Sequence, residues 1–313
     1  MLSARGSWPR FRATAPFTFV RCSVAHRNHP ERNEDAVLVD RHNGLAAVFD
    51  GVGGKADGHI AAQAASRAIH DGWKRVVASM GTRSAVVASH KLNVAETLQG
   101  LVEEAHRQIR LEGEQLAKAA GEALESFKYP ATTFALAVFC LDADADGYTM
   151  TFAHVGDSRI YLLRGQQALQ RLTQDDGFLA VLLSKGEIAQ SDALRIDQAT
   201  NVEQLSAVER GYFGKRYGIT QALGWDGIET IHIDQLKLEP GDRVLLCTDG
   251  IHDNLTDQEI EEVLRGGAPK TAANRLVQRA QQRSLQDRSV TIRAKGDDMS
   301  AVVMTSRDFQ HLL

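Results

Sequence analysis

Apolar residues along this 313-residue chain follow two rhythms. Short, dense apolar runs read as strands at 17–24, 36–39, 45–49, 133–141, 148–154, 159–163, 169–172, near 230–233, 243–247 and 301–305. A helical period appears over 59–77, where Ile60, Ala64 and Ala68 share one face with Ile69, Trp73 and Val76 close by. It returns over 93–118, where Leu98, Val102, Ala105 and Ile109 recur at spacings of four, three and four. Shorter helices are expected at 178–185, 257–265 and 271–283, and a turn at 142–147. Residues 186–220 are polar and carry Gly211, Gly214 and Gly218, so they read as an irregular, mobile surface excursion. Strands, two long helices, strands again and then helices is not the alternation of a parallel doubly wound sheet. It predicts an α+β protein of antiparallel sheets with helices outside, in one domain over 17–306.

Composition narrows the class. With 43% hydrophobic and 24% charged residues and a net charge of −4, the chain is an ordinary globular protein without a nucleic-acid footprint. No run approaches the roughly 20 apolar residues that span a bilayer. The first thirty residues hold five arginines and no acid. Because a strand already begins at Phe17, residues 1–16 read as a short flexible basic tail rather than a transit peptide, and 307–313 as a C-terminal tail. Cys22, Cys140 and Cys247 each lie in an apolar run and read as buried thiols. This pattern suits a reducing cytoplasm and a monomer that binds neither membrane nor nucleic acid.

The chemistry lies in short acidic motifs at the edges of strand-like runs. They are Asn33-Glu34-Asp35, Asp50-Gly51-Val52-Gly53-Gly54, Val155-Gly156-Asp157-Ser158-Arg159, Thr248-Asp249-Gly250 and Gly296-Asp297-Asp298-Met299-Ser300. Carboxylates gathered at a sheet rim repel one another unless cations sit between them. An oxygen-only donor set, a carbonyl such as that of Gly51 included, suits Mg²⁺ or Mn²⁺ and argues against zinc. Two such ions would activate a water and offset charge on a phosphoryl group.

Together with Ala131-Thr132-Thr133 and Leu172-Thr173-Gln174-Asp175, these motifs resemble, in order and over about residues 17–306, the metal-dependent Ser/Thr protein phosphatases of type 2C (the PPM family). The resemblance implies a four-layer α-β-β-α sandwich with two antiparallel sheets, two Mn²⁺ or Mg²⁺ ions and a possible third. It implies direct hydrolysis of phosphoserine and phosphothreonine in proteins, opposing a cognate Ser/Thr kinase, with no phosphoenzyme. By position, Asp50 matches the acid bridging two metals, and the Gly51 carbonyl matches a ligand of the first. Glu34, Asp249 and Asp297 match holders of the second, Asp35 an adjacent acid, and Asp157, with Asp249, a holder of a third ion. Asp50 and Asp249 are thus the expected catalytic pair. Residues 186–220 correspond to a flap beside the active site, and Arg195, Arg210, Lys215 and Arg216 there suit an anionic phosphoprotein.

Three positions depart from the pattern. Asp298 stands where the family usually has Asn. The phosphate-gripping Arg is expected four residues before the Glu, where this chain has Pro30, so Arg27 and Arg32 are the phosphate-binding candidates, Arg27 first. Val52 stands where some members carry a His proposed as general acid, so protonation is expected from metal-bound water or another group, with His26, His59 and His154 available.

Other readings have their own marks. A haloacid-dehalogenase phosphatase would use Asp142 of Asp142-Ala143-Asp144 as nucleophile, but no helix follows to bind phosphate. A calcium loop over 142–147 lacks the acid at its twelfth position, which is Ala153. A pseudophosphatase acting as a binding module would be expected to lose metal carboxylates, and this chain keeps them.

Overall fold

The computed structural model describes residues 17–52, 57–80, 92–124, 127–142 and 147–307. The N-terminal tail, residues 308–313, Gly53, Gly54 and the tip of the 142–147 turn with Asp144 lie outside the described residues. Among the described residues, ten strands build two five-stranded antiparallel sheets. The first, in spatial order, holds β1 (Phe17–Val24), β10 (Met299–Ser306), β9 (Arg243–Cys247), β6 (Arg159–Leu163) and β7 (Gln170–Arg171). The second holds β2 (Ala36–Asp40), β3 (Leu45–Val52), β4 (Ala131–Leu141), β5 (Tyr148–Val155) and β8 (His232–Leu238).

Strand alternation sorts the apolar side chains into three slabs. Phe17, Phe19, Ile160, Leu246 and Val302 of the first sheet meet Ala46, Val48, Ala137, Phe139 and Met150 of the second. Phe17 closes that interface with ring centroids 5.1 Å from Phe139 and 4.9 Å from Tyr148. The opposite face of β3 and β4 (Leu45, Ala47, Phe49, Phe134, Leu136) packs on α1 (Gly58–Ser79) and α2 (Val94–Ala120). The outer face of the first sheet (Tyr161, Leu245, Cys247, Ala301, Val303) packs on α6 (Asp249–His252), α7 (Asp257–Arg265) and α8 (Ala272–Ser284). Strands buried on both faces explain why the central runs read as continuously apolar. The four-layer sandwich is therefore as expected, and Cys140 and Cys247 are buried thiols.

The region 186–220 is not irregular. After α3 (Phe178–Ser184) come α4 (Gln190–Gln198), a 3₁₀ turn and α5 (Ala207–Lys215). Ile196, Ala199, Leu205 and Phe213 form a small core of their own. Ser206 caps α5, its hydroxyl accepting from the Glu209 N–H at 3.4 Å while Glu209 accepts from the Ser206 N–H at 2.8 Å. Helix α4 buries only Ala193 and Ile196 among its apolar residues and α5 only Phe213, too sparse for a helical period to stand out. The strand expected at 230–233 lies later: β8 is an edge strand whose exposed Gln235 and Lys237 hid its pattern, and pairing with β5 supports it.

Antiparallel pairing gathers the motifs at one end. In the second sheet Ala36 pairs with Phe49 and Asp50 with Thr133, so the residues before β2 and the end of β3 share an edge. In the first sheet Cys247 pairs with both Arg159 and Ala301, so the segment after β9 lies beside the segments before β6 and β10. Val24 pairs with Met299, which brings the 25–35 loop to the same end.

Candidate metal and active site

That shared edge collects Glu34, Asp35, Asp50, Asp157, Asp249, Asp297 and Asp298. Asp50 is held well above the usual carboxylate range, first by burial and then by the charges of Asp249, Asp35, Asp297 and Asp157. One acid from the second sheet thus feels four others, three of them from the first sheet. Asp157 is raised by burial and by Asp249 and Asp175. Asp249 is pushed up to about 7 by burial, with Asp297 and Asp253 adding to it and Lys295 opposing.

Two glycines let the backbones close this tightly. A Cβ on Gly51 would lie 2.4 Å from the Gly58 carbonyl carbon and 2.6 Å from the Glu34 oxygen, and one on Gly250 would overlap the Asp298 oxygen at 1.9 Å. Hydroxyls lock the edge together. Thr132 Oγ1 donates to the Asp50 carbonyl at 2.8 Å, and Thr133 and Ser158 share a 2.8 Å bond between the sheets. Thr248 Oγ1 donates to Asp35 Oδ2 at 2.8 Å and accepts from the Ser300 N–H at 3.0 Å. The Ala-Thr-Thr, Gly-Asp-Ser-Arg and Thr-Asp-Gly motifs are the scaffold that aims the acids.

The donor set fits hard divalent ions: it is all oxygen, and Asp249 Oδ1 and Glu34 Oε1 are buried without hydrogen-bond donors. Among the described residues no three acid or imidazole side chains yet enclose a common point. The Lys295 ammonium stands among them, closest to Asp249, 2.8 Å from Asp253 and 3.0 Å from Asp297. Burial opposes its charge, but Asp249, Asp253 and Asp297 outweigh burial and hold it well above the ordinary lysine range. Lys295 and Asp253 were not among the expected site residues. Their signal was weak: Lys295 lies two residues before Asp297, and Asp253 one turn after Asp249.

Asp298 has a different task from its neighbour. Its two oxygens accept the backbone N–H groups of His26 at 2.8 Å and Glu34 at 2.6 Å. Asparagine offers only one acceptor oxygen, so the carboxylate is the side chain that clamps both ends of this loop. On the loop, Arg32 lies 3.5 Å from Glu34, while Arg27 is exposed and has no ion pair among the described residues. Of the histidines, His59 is sensed by Glu34. His154 instead stacks on His232 with centroids 4.6 Å apart and is pushed down to about 4, first by burial and then by His232. The carboxylates that act on it are Asp176 and Asp175. Asp142 terminates β4 at the opposite end from Asp50, accepting from Thr149 Oγ1 at 2.6 Å, so it shares no site with these acids.

Behind the acids lies a buried charge network. The Arg159 guanidinium bonds Asp175 at 2.6 Å and Asp197 of α4 at 3.0 Å. Arg293, fully buried, donates to carbonyls of Asp197, His252 and Leu255. Arg216 is buried 3.5 Å from Asp253, and Arg195 is engaged by Asp192 and Glu209. Of the four cations expected to face a substrate, Arg216 is therefore committed inside the protein and Arg195 is exposed but held by two acids, while Arg210 and Lys215 are exposed.

Comparison with known proteins agrees with this fold. The protein phosphatase 2C family profile matches residues 23–288. A serine/threonine phosphatase, stp, of Listeria monocytogenes is 26% identical over 239 residues, covering 76% of this chain and 79% of its own. The serine/threonine protein phosphatase PstP of Mycobacterium tuberculosis is 27% identical over 248 residues, 79% of this chain but 39% of that longer protein. The crystal structure of PstP/Ppp from M. tuberculosis superposes with a TM-score of 0.69 at 23% identity, covering 93% of this chain and 99% of that one. A PstP catalytic domain solved with two manganese ions gives 0.66 at 23% identity, with the same coverage.

Proposed function

The chain belongs to the protein phosphatase 2C family, and from that premise we propose its reaction: hydrolysis of phosphoserine and phosphothreonine in proteins, dependent on Mn²⁺ or Mg²⁺ and without a covalent phosphoenzyme. The observation that carries this is that strand pairing gathers Asp50, Asp157, Asp249 and Asp297 at one end of the two sheets, where the charges of the other three act on the Asp50 carboxyl. When bound, divalent ions supply a water activated for attack and positive charge facing the phosphoryl oxygens.

The residues of the chain supply the rest. Asp50, the Gly51 carbonyl, Glu34, Asp249 and Asp297 are the oxygens that would hold two ions, and Asp157 with Asp249 a third. Asp35, bonded to Thr248, fixes the relation between the loop before β2 and the Thr-Asp-Gly turn. Arg27, exposed and without an ion pair among the described residues on a loop clamped by Asp298, is the group we assign to grip the phosphate; Arg32 tempers the charge of Glu34. Arg210 and Lys215 on the flap are placed to attract an anionic phosphoprotein. The substrates are phosphoproteins made by a cognate Ser/Thr kinase, and we expect a cytoplasmic monomer. Among the described residues no helix is long and apolar enough to cross a membrane.

The test is turnover of a phosphothreonine peptide with Mn²⁺, with EDTA, and by Asp249→Asn with Mn²⁺. Turnover is expected in the first alone, with the variant slower by at least about 100-fold. Equal rates in all three would overturn the metal mechanism, and no turnover in any would favour a non-catalytic binding module.

A further inference from the structure

Lys295 reaches the acid edge from the segment just before β10, its side chain largely buried. It meets two expected metal ligands, Asp249 and Asp297, and a third acid, Asp253, that is not one. Two of the groups this same ammonium already touches are not expected metal ligands and could keep it once the ligands are taken. Asp253 lies on the flap side of Asp249, where Arg216 also sits 3.5 Å away. The Tyr217 ring, next to α5, has its centroid 4.8 Å from the ammonium. Aromatic faces attract cations at this range. The ammonium holds Asp249 Oδ2 and Asp297 Oδ2 while Asp249 Oδ1 stays free, and a divalent ion drawing on both carboxylates would compete with it by charge and by space.

We propose that Lys295 is a tethered competitor for the metal site: it neutralises Asp249 and Asp297 in the metal-free protein and must withdraw onto Asp253 and Tyr217 before a divalent ion can take those oxygens. This rests on the metal-dependent reading above and adds to it a threshold, because every ion bound there has to displace a covalently attached cation. The lysine holds the acids together without metal and weakens metal binding on the Asp249–Asp297 side. The displaced ammonium bears on Tyr217, so occupancy of that side is felt at the end of the flap helix α5.

The experiment is calorimetric titration of metal-free full-length protein with Mn²⁺, comparing wild type with Lys295→Met, which keeps an unbranched chain but no charge, and Lys295→Arg, which keeps the charge. The weaker Mn²⁺ step is expected to tighten about tenfold in Lys295→Met and to stay within about threefold of wild type in Lys295→Arg. Thermal unfolding gives a second readout: Lys295→Met should melt lower than wild type in EDTA, yet gain more from saturating Mn²⁺. If Lys295→Met does not fold without metal, Lys295→Gln replaces it in the same titration. Unchanged or weaker Mn²⁺ binding in the neutral variant overturns the proposal, as does equal tightening in the arginine variant. Absence of Mn²⁺ binding by wild type would instead overturn the metal-dependent reading itself.

Discussion

At the scale of single residues, neighbouring acids take unlike roles because of what their oxygens already touch. Asp298 has both oxygens committed to the N–H groups of His26 and Glu34, whereas Asp297 has one oxygen 3.0 Å from the Lys295 ammonium. Arg27 and Arg32 separate in the same way. Arg27→Ala should raise KM for a phosphopeptide by about tenfold with a smaller change in kcat, and Arg32→Ala should raise it less; steady-state kinetics on both variants decides between them. His252 titrates with the fold. Its Nε2–H donates to the Asp157 carbonyl at 3.0 Å, and burial, then Arg159, push the imidazole down to about 3. Between about pH 3 and 6.5 the unfolded chain binds the proton that the folded one refuses, so this group's contribution is complete above 6.5 and declines as pH falls. At pH 5 the deficit from this imidazole is about 2 kcal/mol. Denaturant unfolding in EDTA at pH 7.5 and 5 should show a smaller loss in His252→Asn than in wild type; an equal loss would mean the imidazole does not titrate this way.

At the scale of elements, α1 and the flap rest on different physics. Trp73 of α1 is fully buried in the slab under β3 and β4, and its Nε1–H donates to the Asn43 carbonyl at 2.9 Å. Trp73→Ala should cost about 3–5 kcal/mol in chemical unfolding. Trp73→Phe should cost about 1–2 kcal/mol, because the ring remains but the carbonyl loses its donor. The flap instead is tied down by buried charge. Arg159→Met leaves Asp175 and Asp197 with the more distant Arg171, 4.0 and 3.5 Å away, and should destabilise by about 3 kcal/mol. Hydrogen exchange should then show α4 losing protection before α7 does. These ties could not be read in advance: Asp197 is one acid among many polar residues in 186–220, and its partner lies 38 positions away. The strands of the double core were readable because both faces are apolar, as in Phe134, Ala135, Leu136 and Ala137.

At the scale of the whole molecule, the fold works as a device for bringing chain ends of strands together. Glu34, Asp50, Asp157, Asp249 and Asp297 span most of the sequence, and antiparallel pairing alone decides that they share an edge. The sequence showed which acids border strands, and the ordered motifs showed which family they resemble. It did not show Lys295 among them, because a lysine between Ala294 and Gly296 has no periodicity to mark it and its three acidic partners belong to other segments or to the far side of a glycine. The central claim is that acids from both sheets form one metal site, with Asp50 common to its ions. The most direct measurement is the number of Mn²⁺ ions retained by wild type and by Asp50→Asn in equilibrium dialysis, with folding checked by circular dichroism. Two or more ions on wild type and near-complete loss on Asp50→Asn are predicted. Retention of the full wild-type complement by the variant would contradict the account.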